Sequence, residues 1–313
     1  MATEAISTSD APASNTLPAL SVTILAFKRR EEVRLTLEKL TRDLDYPKDR
    51  LEIIVVDNAS SDGTTEMVTR DFPQVECLTL PENIGVAGWS HAFAAARGDY
   101  FLVLDDDSAP LHGIREAIEH LEANPAVGIL ACRVVGGAFP TDGFDLLDRQ
   151  SWVGFIGCGA IIRRALYERI GGFAEWIFIY AHEWEYGLRC LAAGFAIQYF
   201  AACVVEHRAA PANRSPRRLI SQTVRNELLT IHRHFPQGRL LYYWRAVVFN
   251  VLYFGRGSAA HVAEGVWRFL RDARRVPRAF VKAEVQAQYT AQLLSAAPVW
   301  PRLSARMRRV LRV

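Results

Sequence analysis

The chain has 313 residues, of which 50% are apolar, 23% charged and 11% aromatic, enough to bury a sizeable core in one large domain or two small ones. That composition excludes a wholly disordered chain, a collagen and a disulfide scaffold. The net charge of +3 hides a division at His207: 17 Lys and Arg stand against 30 Asp and Glu before it, a balance of −13, and 20 against 4 after it, a balance of +16.

Residues 1–18 are rich in Ala, Ser and Thr and carry Glu4 and Asp10 but no basic residue, so they read as a disordered lead-in and fit neither a signal peptide nor a presequence. From Leu20 onward, short β-branched apolar runs alternate with helical periodicity, the pattern of βαβ units and a largely parallel sheet. Strands are expected over 20–27, 51–57, 75–80 and 100–105, with helices over 30–41, 64–71 and 88–96. A helix over 111–123, a strand over 127–134, a Gly-rich stretch over 136–143 and a strand over 152–162 follow. Next come a helix over 182–193 and strands over 195–200 and 204–208. Beyond Arg208 the texture changes to long Arg-studded helices, among them 216–233 and 238–254. The apolar run from Leu240 to Phe254 is 15 residues long and holds Arg245, short of the roughly 20 residues a membrane-spanning helix needs. The expected division is therefore the lead-in 1–18, an α/β domain over 19–210 and a basic helical region over 211–313. The cysteines, Cys77, Cys132, Cys158, Cys190 and Cys203, form no C-x-x-C pair, which fits a reducing cytosol.

In an open α/β sheet, ligands meet the carboxyl ends of the strands. Those ends carry Ala26, Phe27, Lys28 and Arg29 after the first strand, Asp57 to Gly63 after the second, and Asp105, Asp106 and Asp107 after the fourth. Asp57 has two readings, acceptor for a ribose hydroxyl or base N–H, or cap of its own turn. Three adjacent carboxylates repel one another unless water or a hard divalent cation compensates them.

Read together, Ser21 to Phe27, Val55 to Thr64, Glu82 to Gly88 and Leu104 to Asp107 resemble the family 2 glycosyltransferases with a GT-A fold, most closely a bacterial rhamnosyltransferase-like branch of cell-surface polysaccharide synthesis. The resemblance runs from about Leu20 to Arg208. It implies an α/β fold with a mostly parallel central sheet and a nucleotide-sugar donor. Ala26, Phe27, Lys28, Arg29 and Asp106 would line the donor site, Asp57 would contact the nucleoside and Asp105 would lie near the ribose. Asp107 would hold Mg2+ or Mn2+ on the donor diphosphate. Asn83, Gly85 and Gly88 match a segment whose small residues let the backbone approach the sugar nucleotide. His91 stands where many members have Asn, and reads as a helix-surface residue.

The second half of the resemblance covers Gly157 to Arg164, Ile170 to Phe173, Tyr180 to Arg189, Gly194 and His207. Where the family has Glu-Asp-x-Asp, this chain has His182, Glu183, Trp184 and Glu185. Glu183 thus inherits the catalytic-base position, and a carboxylate near a helix N-terminus can take a proton from an attacking hydroxyl. Glu185, about 200° further round the helix, is placed to pair with Arg189 four residues on. By the same resemblance His207 approaches the metal or diphosphate, and imidazole suits Mn2+ beside carboxylates. Trp152 and Trp176 offer aromatic faces for a sugar ring or for core packing.

Other classes fit worse. No strand is followed by G-x-G-x-x-G, no Walker A lysine occurs, and no serine sits in a nucleophile elbow. A nucleotidyltransferase would need a glycine-rich phosphate loop where Ala26-Phe27-Lys28-Arg29 has no glycine. A cationic third of this kind seeks phosphates, nucleic acid or an anionic membrane. Its Arg residues alternate with Trp, Tyr, Phe and Leu, which favours a membrane surface over nucleic acid. Packing on the α/β domain, or a homodimer, is the other use of those stripes. The expectation is an inverting, metal-dependent glycosyltransferase, cytoplasmic and peripheral on the inner face of the membrane, acting on a saccharide or lipid-linked acceptor. A catalytically inactive GT-A nucleotide-sugar-binding scaffold is the alternative.

Overall fold

A computed structural model describes residues 17–136, 154–208 and 215–296. The lead-in 1–16, most of the Gly-rich stretch, Trp152 and the last Arg-rich segment lie outside the described residues. The strands β1 (Leu20–Ala26), β2 (Leu51–Asp57) and β4 (Tyr100–Asp105) are mostly apolar and buried on both faces, as strands covered by helices on each side are. With β3 (Glu76–Thr79) they form a parallel block in the order β3-β2-β1-β4. The sheet then continues through β7 (Ala160–Arg163), β6 (Val127–Val135), β8 (Ala196–His207) and β5 (Ser108–His112). There β7 runs antiparallel to both neighbours, β8 is parallel to β6, and β5 is antiparallel to β8.

Alternate residues of each strand feed two cores. Val22, Ile24, Val55 and Leu102 pack against α1 (Arg30–Asp43), α2 (Thr64–Asp71) and α4 (Ile114–Ala123). On the other face Ile54, Val56, Phe101 and Val103 meet α3 (Trp89–Ala95), α5 (Arg164–Ile170) and α6 (His182–Ala192) through Trp89, Phe93, Leu166 and Tyr186.

The structure departs from the sequence expectations in four places. The helix expected over 111–123 begins only at Ile114, because Ser108–His112 pairs with β8 instead. Pro110 is tolerated there since β5 is the sheet edge. Gly113, at φ +87°, then turns the chain into α4, and a Cβ on it would lie 2.1 Å from the Ala202 carbonyl. Of the strand expected over 152–162, β7 holds Ala160–Arg163. The strands expected over 195–200 and 204–208 are one, β8, with a register shift against Cys132/Arg133. Helix α5 was not anticipated.

The C-terminal helices are α7 (Pro216–His234), α8 (Arg239–Phe254), α9 (Ala259–Asp272) and α10 (Ala283–Ala296). Ser215 accepts from Arg218 N at the start of α7, with Pro216 at the first helical position. Gly265 brings α9 close to α7: a Cβ there would lie 2.7 Å from the Ser221 carbonyl oxygen. These helices are not a loose appendage. Leu188 and Leu191 of α6 share a core with Ile231, Phe235 and Tyr289. Among the described residues no helix is long and apolar enough to cross a membrane.

Candidate active site

Parallel register aligns Ala26 with Asp57, Asp57 with Thr79, and Leu25 with Asp105, so the carboxyl ends of four strands lie side by side along one edge of the sheet, the crevice where ligands meet such sheets. The first loop bends sharply there. Lys28, at φ +53°, is exposed and its N–H donates to Ser60 Oγ at 2.9 Å, while Phe27 N donates to Asp106 Oδ2 at 3.3 Å. Arg29 turns inward and ion-pairs with Asp106 at 2.9 Å and Asp107 at 3.2 Å. The basic pair after β1 therefore splits, with Arg29 serving the acidic cluster and Lys28 facing solvent.

Asp57 is 1% exposed; its Oδ1 accepts from Ser60 N at 2.8 Å and its Oδ2 from Thr65 Oγ1 at 2.5 Å. Of its two sequence readings, this is the geometry of the turn cap. The neighbouring Asn58 was read from sequence only as part of that turn. It is buried, accepts from Ile84 N at 3.0 Å and donates to Gly85 O at 3.0 Å, clamping the 83–88 segment to the end of β2. Asn83 accepts from Gly85 N at 2.9 Å. The two glycines answer first to the protein itself: a Cβ on Gly85, at φ +68°, would lie 1.9 Å from the Phe178 carbonyl oxygen, and one on Gly88 would lie 2.4 Å from Leu25 Cδ1. His91 is exposed on α3.

The acidic run after β4 occupies three environments. Asp107 is fully buried between Arg29 and His207, whose Nε2 lies 3.2 Å from Asp107 Oδ1. Asp106 is 5% exposed, and burial, reinforced by Asp105 and Asp107, outweighs Arg29 and lifts its carboxyl to about 7. Asp105 is the most open of the three, 3.7 Å from His207 Nε2, and burial with repulsion from Asp107 raises it too. Arg208 was missed by sequence reasoning; it bonds Glu32, Thr36 and Glu206 and ties the end of β8 to α1.

Glu183 sits in the first turn of α6, with 18% of its side chain exposed. Gly157 N donates to its Oε1 at 3.3 Å. His182 is 6% exposed, stacked on Trp89 and edge-on to Phe173. Its Nδ1 stands 3.1 Å from Glu183 Oε2 without the alignment of a hydrogen bond. The turn before α6 is strained, with Tyr180 at φ +68° and Ala181 at φ +58°. Asn226 of α7, fully buried, holds it by donating to the carbonyls of Ile179 and Tyr180 at 2.8 and 2.9 Å. Arg225 adds a bond to Trp176 O, so Trp176 is fixed between α7 and the α/β core.

Glu185 points away from the crevice. Arg189 donates to it at 2.9 and 3.0 Å, as the four-residue spacing predicts, and His234 of α7 lies 2.9 Å away. Burial raises this carboxyl, and the Arg189 guanidinium together with the His234 hydrogen bond outweighs burial and holds it at about 2. Two consecutive residues join the halves of the site: Gly157 touches His182 and Glu183, while Cys158 offers its sulfur within 4.8 Å of ligand atoms of Asp105 and His207. Neither was singled out from sequence as a site residue.

Residues 21–171 match the profile described as Glycosyl transferase family 2. The chain is 30% identical over 216 residues to the probable glycosyltransferase YdaM of Bacillus subtilis (strain 168), an alignment covering 60% of this chain and 50% of YdaM. It is 32% identical over 101 residues to the glycosyltransferase AglE of Haloferax volcanii, covering 31% of this chain and 33% of AglE. The chain thus spans half or less of the length of these curated relatives. Among solved structures it resembles the mannosyltransferase PcManGT from Pyrobaculum calidifontis in complex with GDP-Man and Mn2+, with TM-score 0.59, 19% identity, and coverage of 93% of this chain and 90% of that one. S. aureus TarS 1–349 in complex with UDP-GlcNAc gives TM-score 0.59 at 16% identity, covering 93% and 92%. These likenesses establish the GT-A fold.

Proposed function

We propose, from the match of residues 21–171 to the glycosyl transferase family 2 profile, that this chain is an inverting enzyme. It moves a hexosyl group, rhamnosyl among the candidates, from a nucleoside diphosphate to a hydroxyl of a saccharide or lipid-linked saccharide in cell-surface polysaccharide synthesis. The observation that supports this reading best is the placing of a helix-N-terminal carboxylate, Glu183, and the Asp105-Asp106-Asp107/His207 cluster on either side of Gly157 and Cys158.

Carboxylates and an imidazole suit Mg2+ or Mn2+. Burial first, and repulsion among the three carboxylates second, raise Asp105 and Asp106. Asp107, Asp105 and His207 would hold the ion, which supplies Lewis-acid neutralisation of the departing diphosphate. Arg29 keeps Asp106 and Asp107 oriented through its ion pairs. Asp57 and Asn58 shape the nucleoside end by fixing the 57–60 and 83–88 turns. Glu183 takes the proton of the acceptor hydroxyl as its oxygen attacks the anomeric carbon. The Gly157 N–H occupies one of its oxygens and fixes the carboxylate plane.

The basic helices bind the inner face of the cytoplasmic membrane and so present the site to a lipid-linked acceptor; nucleic acid is not a partner in this reading. The competing reading, an inactive nucleotide-sugar-binding scaffold, draws on His182 standing where an acid is usual. Thermal shift tests the donor site: the wild type should melt higher with GDP or UDP plus Mn2+ than with nucleotide alone, and Asp107→Asn should lose the Mn2+-dependent part. No nucleotide response in the wild type contradicts the donor assignment.

A further inference from the structure

We propose that Cys158 is a ligand in the metal site, making it a mixed carboxylate, imidazole and thiolate site that takes Zn2+ in preference to Mn2+ and Mg2+. The proposal deepens the metal assignment above and rests on it.

Among the described residues, Asp105, Cys158 and His207 form a group whose ligand atoms all lie within 4.8 Å of one another. The three come from different elements: Asp105 ends β4, His207 ends β8, and Cys158 lies just before β7. Cys158 and His207 are 3% and 6% exposed, so the group is built into the wall of the crevice. A glycine on each side lets the Cys158 backbone come this close. A Cβ on Gly157 would lie 2.9 Å from His182 Nε2, and one on Gly159 would lie 2.7 Å from Val134 Cγ2.

The donor set decides the metal. Mg2+ takes oxygen ligands almost alone, whereas one sulfur, one imidazole nitrogen and one carboxylate oxygen are the ligands of tetrahedral Zn2+. Without a cation, burial together with Asp105, Asp107 and Glu183 keeps the thiol protonated. On metal binding the S–H bond breaks, the proton leaves to bulk solvent and the thiolate lone pair forms the metal–sulfur bond. Zn2+ held in this way uses the carboxylate and imidazole that serve the donor's cation, so it competes with Mn2+.

Co2+ titrated into the purified chain, alone and with GDP, reports the sulfur directly. The wild type should develop thiolate-to-cobalt charge-transfer absorption in the near ultraviolet, abolished by Zn2+, retained in Cys132→Ser and lost in Cys158→Ser. Losing even an outer-shell partner costs about 10–100-fold in metal affinity, so Zn2+ affinity should fall at least about tenfold in Cys158→Ser. Should that variant not fold, Cys158→Ala serves. X-ray absorption at the zinc edge of the wild-type complex needs no variant and should show a sulfur neighbour. Calorimetric Co2+ binding without the charge-transfer band overturns the Cys158 assignment and leaves the carboxylate–histidine site standing. A band that survives Cys158→Ser also overturns it, and absence of any Co2+ binding removes both.

Discussion

Glu183 and Glu185 stand in the first turn of α6 and meet opposite surroundings. Glu183 opens on the crevice, while Glu185 is 1% exposed and shared between Arg189 and His234. The Glu185–Arg189 pair was legible from its spacing, but His234 lies 49 residues away and no local pattern announces it. Because Glu185 is held at about 2, below its ordinary 4.5, the stability it contributes is present above pH 4.5 and is lost as pH falls through about 2. Glu185→Gln should leave Arg189 and His234 without their anion and cost about 3 kcal/mol at neutral pH, with a smaller acid dependence of urea denaturation. An unchanged midpoint at pH 7 would show that the cluster contributes nothing to stability.

At the scale of elements, the strands that end at the site read plainly from sequence, since Ile53 to Val56 of β2 and Tyr100 to Leu104 of β4 are apolar runs ending in Asp57 and Asp105. Edge strand β5 did not, because Ser108-Ala109-Pro110 lacks a strand's composition and is extended only by pairing with β8. The ion pairs of Arg29 with Asp106 and Asp107 were hidden for a related reason, spanning 77 and 78 residues. The amphipathic reading of the basic region becomes specific in α8, which buries only Asn250 while Leu240 is 82% and Trp244 64% exposed. Arg245 lies over the ring of Tyr242 on the same helix. If this face enters a bilayer surface, the wild type should sediment with phosphatidylglycerol vesicles and not with phosphatidylcholine ones. Trp244→Ser should weaken that binding about tenfold or more with no change in melting temperature. A chain that ignores both vesicle types, and instead forms dimers through this face, contradicts the membrane reading.

Across the whole molecule, the acidic body and the basic third both contribute residues around the candidate site. Helix α7 of the basic third braces the strained turn of Tyr180 and Ala181 through Asn226, and holds the far side of α6 through His234. The acidic body in turn spends part of its excess on the Asp105-Asp106-Asp107 cluster, where burial and mutual repulsion raise Asp105 and Asp106. Both halves converge on the orientation of one carboxylate, that of Glu183. The most direct measurement is therefore sugar transfer by Glu183→Gln beside the wild type, with donor affinity followed in the same samples. Transfer should fall about 10²–10⁴-fold while nucleotide-sugar binding with Mn2+ stays within a few-fold of wild type; turnover retained near the wild-type rate would contradict Glu183 as the base.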